Sequence, residues 1–492
     1  MPEKAGISIF SFIGKMKILH LSSMAFFITF MVWFNHAPLL AVIADSLNLS
    51  SAEIKTLLLL NVALTIPARV IIGMLTDKYG PRLVYALLLA FCSIPCFMFA
   101  VATDFAQAAL SRFLLGLIGA GFVIGVRMVS EWFPANELGT AEGIYGGWGN
   151  FGSAAAAMLL PSIALFFGDE NGWRYAVAMT GVMSLWFSVI WYRNVQDTPH
   201  DAIYFKPKNS GAMQVTNRGD FFLLCLMKLP MYGALVLLVW QLSVAYVGLL
   251  SEQSTMLTYS FLFLLFILDL KQTYSVNIDV FNTKVPTLHQ YKFKQVAVLN
   301  VLYFTTFGSE LAVVSMLPLF FAETFTLDMV FAAMLASSYA FMNLMSRPAG
   351  GWLSDKFGRK KVLLLLTAGL VLGYFTMSLI SATWSLVVAV IIVMLCSFTV
   401  QAGEGAIFAT VPLIKRSLTG QIAGMTGAYG NVGAVVYLTV LTFVSYSQFF
   451  LIIALTAVLG FIILLFMEEP TGSIAEVLDN GTVAFINVNS NG

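Results

Sequence analysis

The sequence predicts an all-α polytopic membrane protein: two pseudo-symmetric six-helix bundles with a helical hairpin inserted between them. Three observations carry that expectation. The 492-residue chain is 59% hydrophobic and only 10% charged, far from the balance of a soluble domain. Its apolar residues fall in repeated runs of 18 or more, long enough to cross about 30 Å of hydrocarbon as helices. One segment also occurs twice: Arg69, Gly73, Asp77 and Gly80 recur as Arg347, Gly351, Asp355 and Gly358, each 278 residues further on.

The runs lie near 18–44, 53–76, 82–103, 106–132, 138–167 and 173–193. A polar stretch at 195–220 follows, then two runs near 221–249 and 255–270, the second short, and a polar segment at 271–294. Six more runs lie near 295–321, 327–352, 361–381, 385–411, 418–447 and 448–467. The expected units are a first bundle over 1–194, a linker over 195–294 whose inserted hairpin covers about 221–270, a second bundle over 295–467, and a polar, loosely ordered tail over 468–492.

Basic residues test the count. With the N-terminus inside, the inner loops hold Lys78, Arg82, Arg193, Lys206, Lys208, Arg218, Lys271, Lys284, Lys292, Lys294, Lys356, Arg359, Lys360, Lys361, Lys415 and Arg416, against two basic residues outside. That asymmetry satisfies the positive-inside rule. It places both termini in the cytoplasm of a multi-pass protein of a plasma or inner membrane. A spanning hairpin keeps both copies of the duplicated loop on one face, and a helical pair lying in the interface would preserve that parity equally.

Composition also excludes. Net charge is +1, which offers no electrostatic footprint for nucleic acid. The four cysteines, Cys92, Cys96, Cys225 and Cys396, lie in apolar runs and read as small core residues. No metal cluster, nucleophile constellation, P-loop or dinucleotide fingerprint is present, so no cofactor and no enzyme activity is expected. No small-residue cleavage site follows a short apolar region, so no cleaved signal peptide is expected.

The charges inside the runs carry the functional reading. A charge at the bilayer centre costs roughly 2.5–3.5 kcal/mol on insertion scales and is kept mainly where it faces a cavity or a partner. Arg69 and Arg347, one per half, read as an anion site; the bland alternative is a structural network with carboxylates. Glu142, Glu310 and Glu404 also lie inside runs. Each is either a proton carrier or half of an ion pair, for example with Arg112 or Arg127. Arg127 and Glu131, one turn apart, are expected to pair.

Gly73–Arg82 and Gly351–Lys360 both fit the pattern Gly-x3-Asp-[Arg/Lys]-x-Gly-x-[Arg/Lys] between the second and third helices of a half. With Arg112, Gly116, Gly119 and Gly121 in the fourth helix, this resembles the major facilitator superfamily of secondary transporters. A glycine-rich repeat narrows the resemblance. Gly143-Ile144-Tyr145-Gly146-Gly147-Trp148-Gly149-Asn150-Phe151-Gly152 and Gly427-Ala428-Tyr429-Gly430-Asn431-Val432-Gly433 are similar to the paired signature of the nitrate/nitrite porter family. The insert and Gly308-Ser309-Glu310-Leu311 look most like its cyanobacterial nitrate permeases.

The resemblance implies a role for each matching residue. Arg69 and Arg347 would clamp the anion, Phe122 and Phe307 would sandwich it, and Asn150 and Tyr303 would add hydrogen bonds. Gly146, Tyr429 and Asn431 complete the substrate-binding set. Gly73, Asp77, Lys78, Gly80, Arg82, Gly351, Asp355, Lys356, Gly358 and Arg359 would form conformational latches. Glu310 and Glu404 are the proton-coupling candidates. The implied function is import of nitrate, with nitrite, by alternating access, coupled to protons or to anion exchange, in a monomer. The polar flanks of the insert at 195–220 and 271–294 read separately as a docking place for a cytoplasmic regulator.

The chemistry suits that reading. Guanidinium is planar and offers paired N–H donors to two oxygens of a planar anion, where lysine would act as a point charge. Two arginines would leave the empty site at +2 and the loaded site at +1. Another small anion, such as a carboxylate, would fit two arginines but would not need the asparagine-glycine repeats, and a membrane sensor could bind nitrate without carrying it.

Overall fold

The computed structural model describes residues 7–168, 171–200, 202, 204–207, 211–246, 248–282, 290–327, 329–477 and 483–487. Lys208, Lys284 and the remaining tail residues lie outside them. The first half contains α1 (Gly14–Phe34), α2 (Leu40–Leu47), α3 (Ser51–Ala63), α4 (Thr65–Tyr79), α5 (Pro81–Ala100), α6 (Phe105–Leu115), α7 (Gly121–Trp132), α8 (Ala135–Phe167) and α9 (Gly172–Asn194). The insert contains α10 (Arg218–Leu242), α11 (Glu252–Val276) and the short α12 (Asp279–Asn282). The second half contains α13 (Phe293–Phe325), α14 (Met329–Phe341), α15 (Asn343–Phe357), α16 (Arg359–Ser378), α17 (Leu386–Thr410), α18 (Thr419–Leu441) and α19 (Tyr446–Leu464).

Twelve helical stretches among the described residues are long and apolar enough to cross a membrane, and both long insert helices are among them. The pair α14–α15 and the glycine-rich α18 complete the bundles. This is a multi-pass membrane protein.

Local chemistry sets the helix ends. Ser50 with Glu53 and Ser445 with Gln448 form capping boxes, and Asp104, Asn217 and Ser251 cap α6, α10 and α11, each satisfying N–H groups that a helix start leaves orphaned. Gly80 and Gly358, predicted as latch glycines, are the turns after α4 and α15, at φ +89° and +96°, where a side chain would be strained. The next helix in each half starts against a carboxylate. Asp197 accepts from the Arg82 N–H at 2.7 Å, and Glu469 accepts from the N–H groups of Arg359 and Lys360 at 2.6 and 2.7 Å, anions placed at positive helix ends.

The two halves meet through α8 on α15 and α18 on α4. Gly139, Gly143, Gly146 and Asn150 on α8 correspond to Gly420, Gly424, Gly427 and Asn431 on α18, each offset by 281 residues. A methyl group on Gly351 would lie 1.8 Å from the Gly139 carbonyl oxygen, and one on Gly73 2.2 Å from that of Gly420. One turn deeper, Gly143 and Gly424 face the carbonyls of Arg347 and Arg69 at 2.5 and 2.4 Å by the same measure. The glycines bring backbone onto backbone, the close approach that small residues permit between membrane helices.

The insert is longer than its sequence suggests. Each of α10 and α11 has 25 residues, about 37 Å at the rise of an α-helix. The run near 255–270 reads as short because Glu252, Asp269 and Lys271 interrupt its hydropathy. Asp269 pairs with Lys228 of α10 at 2.6 Å, so the two charges neutralise each other within the hairpin. α10 packs on α13 and α18 and reaches α3 of the first half, while α11 exposes Phe261, Phe263, Leu264 and Leu268. The tail is more ordered than expected: β1 (Ser473–Val477) and β2 (Val483–Asn487) pair antiparallel, Ser473 opposite Asn487 and Val477 opposite Val483.

Replacing Gly351 by alanine should overpack the α8–α15 contact by about 1–3 kcal/mol, read as a lower melting temperature in detergent. Gly233→Ala, where a methyl group meets nothing within 4 Å, should leave it unchanged.

Candidate functional site

Arg69 and Arg347 sit one turn inward from Gly73 and Gly351 and are 1% and 2% exposed. Their positions follow from the glycine ladder, since the next small residues along α18 and α8 clear the guanidiniums themselves. A methyl group on Gly427 would lie 3.1 Å from Arg69 Cδ, and one on Gly146 3.1 Å from Arg347 Nη1. Gly146, predicted as a substrate-binding residue, instead gives clearance to the Arg347 guanidinium.

Both guanidiniums converge on the same two rings. Arg69 Cζ lies 5.8 Å from the Phe122 centroid and 5.1 Å from that of Phe307; Arg347 Cζ lies 6.0 and 5.9 Å from them. Phe307 stacks on Tyr303 at 5.0 Å with 5° between planes. Gly430 leaves room for that stack, because a methyl there would lie 2.6 Å from Phe307 and 2.7 Å from Tyr303. Phe122 is held at 5.9 Å, near parallel, by Tyr145, whose hydroxyl donates to the Phe122 carbonyl.

The two arginines are bonded differently. Arg69 donates from Nε to the Gly119 carbonyl at 3.2 Å and from Nη1 to that of Gly427 at 2.6 Å. The Gly119 carbonyl is available because α6 gives way to a 3₁₀ stretch at Gly116–Ala120. Among the described residues, no carboxylate lies within ion-pair distance of Arg69. Arg347 is paired with Glu404 and lies 3.6 Å from Glu310. Its Nε also donates to Asn343 at 3.0 Å. With its amide oxygen turned inward, Asn150 accepts from Arg347 Nε and Nη2 at 3.2 and 2.8 Å. Glu310 in turn accepts from Asn343 at 2.6 Å and from Gln401 at 3.4 Å. Asn431, the counterpart of Asn150, is fully buried, and among the described residues neither of its amide atoms has a partner.

Several expectations change. Glu404 pairs with Arg347, not with Arg112 or Arg127, so the arginines do not stand alone at +2; two ionised glutamates bring the formal charge of the four groups to zero. Tyr429 points out of the site, and its hydroxyl donates to the Met227 carbonyl of α10 at 2.7 Å. Arg112 binds Asn35, Asn61 and the Trp33 carbonyl, away from both clamp arginines. Asn343, Gln401 and Phe408 were not singled out by sequence. Only Asn343, one turn before Arg347 on the same helix face, left a signal. Phe408 sets its edge against both Phe122 and Tyr303, at 4.4 and 4.9 Å, joining the aromatic groups of the two halves.

The basic loops lie on one face of the bundle, and there the halves are closed. Asp77 accepts from the N–H groups of Gly420 and Gln421 at 2.8 Å each, at the start of α18. Asp355 accepts from those of Gly139 and Thr140 at 2.9 and 2.6 Å. Arg127 lies 3.6 Å from Asp77 and 3.0 Å from Glu131 and donates to the Arg416 carbonyl across the gap. Arg359 pairs with Asp355 and donates to the Ala135 carbonyl. The other predicted latch cations do not bridge. Lys78 and Lys356 are exposed, over aromatic rings of their own helices, and Arg82 donates to Tyr192 within its own half.

The model of the Major Facilitator Superfamily matches residues 22–281 and 299–482. The chain is 46% identical to the nitrate/nitrite transporter NrtP of Picosynechococcus sp. over 96% of each chain. It is 44% identical to NrtP of Nostoc punctiforme over 95% of each. In fold it is similar to the human organic anion transporter MFSD10, with TM-score 0.61 and 12% identity, covering 92% of this chain and 99% of that one.

Removing Arg347 should cost far more stability than removing Arg69. Arg347→Gln strands Glu404 and Glu310 in the interior, a loss of about 3–5 kcal/mol, whereas Arg69→Gln strands only carbonyls. Arg347→Gln with Glu404→Gln should recover much of the lost melting temperature; no recovery would mean that the pair is not the cause.

Proposed function

This chain belongs to the Major Facilitator Superfamily, and we propose that it imports nitrate, with nitrite, by alternating access coupled to protons. The observation that carries the reading is the convergence of two guanidiniums on Phe122 and Phe307 with only one of them paired to acids. Arg69 spends Nε and Nη1 on carbonyls, which leaves Nη2 for a ligand oxygen. The unpartnered Asn431 amide supplies another donor in a dry site, where an unmade hydrogen bond is expensive. Two relatives that share nearly the whole length of this chain are named for nitrate and nitrite transport.

Charge balance supports protons as the coupling ion. Arg69, Arg347, Glu310 and Glu404 sum to zero when all are ionised. A monoanion brings the buried set to −1, and one proton on either glutamate restores neutrality. Charge is costly to bury without compensation, so nitrate and proton favour each other's binding, reciprocally. Protonating Glu404 also loosens its hold on Arg347 and frees that guanidinium for the anion. The halves then rock around the central site, with the Asp77 and Asp355 contacts breaking as the basic face opens. The protein works in the plasma or inner membrane with both termini cytoplasmic, as a monomer, and its central linker is where a cytoplasmic regulator would dock.

The test is labelled nitrate uptake into proteoliposomes, with and without an inward proton gradient. The wild type should take up nitrate in response to the gradient, and Glu404→Gln should lose that response while keeping exchange of external for internal nitrate. Uptake that requires internal nitrite would make the protein an exchanger. Absence of nitrate flux in a folded protein would point to another small anion or to a sensor. Asn431→Ala should raise the nitrate KM about tenfold, the worth of one hydrogen bond to a charged ligand, with little change in melting temperature.

A further inference from the structure

One buried acid has no place in the site just described. Glu142 on α8 is 3% exposed, and among the described residues neither carboxylate oxygen has a hydrogen-bond partner. It lies one turn from Gly146 and two from Asn150 along one stripe of α8, on the side toward the basic face. The neighbouring positions Gly139 and Gly143 are the ones pressed against Gly351 and Arg347 of the other half. Glu142 is therefore inside the closed gate, between the central site and the latch of Asp355 on Gly139 and Thr140. Its counterpart on α18, at the 281-residue offset, is Ala423, so the gate carries this acid on one side only.

Of the charged and titratable groups on the surrounding elements, Lys17, Arg193 and Lys356 are exposed, His20 of α1 is bonded with the Ser11 carbonyl, and the others are engaged elsewhere. On α15, Arg347 pairs with Glu404 of α17, and Asp355 pairs with Arg359. On α1, Lys15 pairs with Glu137. On α7, Arg127 pairs with Glu131. On α9, Arg174 binds the carbonyls of Ala100 and Ala102. Tyr145, one turn along α8, donates its hydroxyl to the Phe122 carbonyl. Arg416, which precedes α18 in the other half, lies 3.6 Å from Glu131 and is not within ion-pair distance of Glu142.

We propose that Glu142 is a proton-binding site built into the basic-face gate, holding a proton while the gate is closed and releasing it to the cytoplasm when the halves part. A carboxylate with no partner in a dry interior is held as the neutral acid, because burying the bare charge is far more expensive. Parting the halves admits water between Glu142 and Arg416. The O–H bond then breaks, the proton passes to water, and the carboxylate faces a solvated cation. Closing the gate reverses this and consumes one cytoplasmic proton. Cytoplasmic pH therefore sets how readily the emptied carrier returns, independently of the protons that travel with the anion at Glu310 and Glu404. The inference rests on the alternating-access reading and on the basic face being cytoplasmic.

The experiment is a distance measurement across the gate, made without nitrate. Spin labels go on Lys78→Cys and Lys356→Cys, one in each half on the basic face, with Cys225 changed to serine, in lipid nanodiscs from about pH 5.5 to 8.5. In the otherwise unaltered protein the ratio of open to closed gate should rise with pH at up to about tenfold per unit, the slope for one linked proton. In Glu142→Gln, a neutral isostere of the protonated acid, the gate should stay mostly closed and the ratio should change less than about twofold over the same range. Glu404→Gln should keep the pH response. An equal response in Glu142→Gln, or its loss in Glu404→Gln alone, would overturn the assignment. A single fixed distance at every pH in all three proteins would overturn it together with the alternating-access reading, while nitrate flux, measured separately, tests the substrate.

Discussion

The structure depends on backbone-to-backbone contact between helices of opposite halves. On α8 and on α18, small residues recur every turn from the basic face to the centre, and each turn meets a different part of the partner helix. Gly139 and Gly420 meet the latch carboxylates, Gly143 and Gly424 meet the arginine carbonyls, and Gly146 and Gly427 clear the guanidinium side chains. One close-packed seam thereby sets the depth of the latch and of the arginines together. A change in the angle between the halves must act on both, because packed helices respond to strain as rigid bodies. This is a physical link between events at the basic face and events at the centre that requires no further moving part.

Within that frame the two halves are chemically unequal. Arg69 is held by carbonyls and Arg347 by Glu404 and Glu310. Two acids stand beside one arginine and none beside the other, and Glu142 extends the asymmetry into the gate, where its counterpart is Ala423. The fold duplicates the scaffold, and each acid is carried on one copy only.

The insert is hydrogen-bonded to the second half. Tyr429 and Thr439 of α18 are bonded to Met227 and Gln241 of α10, and Asp220 accepts from the N–H of Phe293 at the start of α13. Pro230 lies just after Met227. Proline removes an intrahelical donor and crowds the preceding turn, and Tyr429 supplies a hydroxyl to a carbonyl of that turn. The residue that looked like a ligand for the anion is instead the peg that fastens the insert to the glycine-rich helix.

Membrane class, the division into halves and the arginine pair were all legible in the sequence. Each depends on properties that are local or exactly repeated: hydropathy over about 20 residues, the 278-residue recurrence of Arg69 as Arg347, and glycines at helical spacing. The paired asparagines could be located in the same way. The partners of Arg347 could not, because Glu404 lies 57 residues away and Glu310 lies 37 away, and nothing in their neighbourhoods says which of several buried arginines each will meet. Nor could the sequence tell that Tyr429 and Asn431, two residues apart on one helix, face different neighbours. That is set by the rotation of α18 against α10 and α4, and a helix turns each successive side chain by about 100°. What the sequence determined alone was therefore which charges enter the membrane; the tertiary structure decided which are neutralised, because buried charge is balanced by whatever the packing brings within reach.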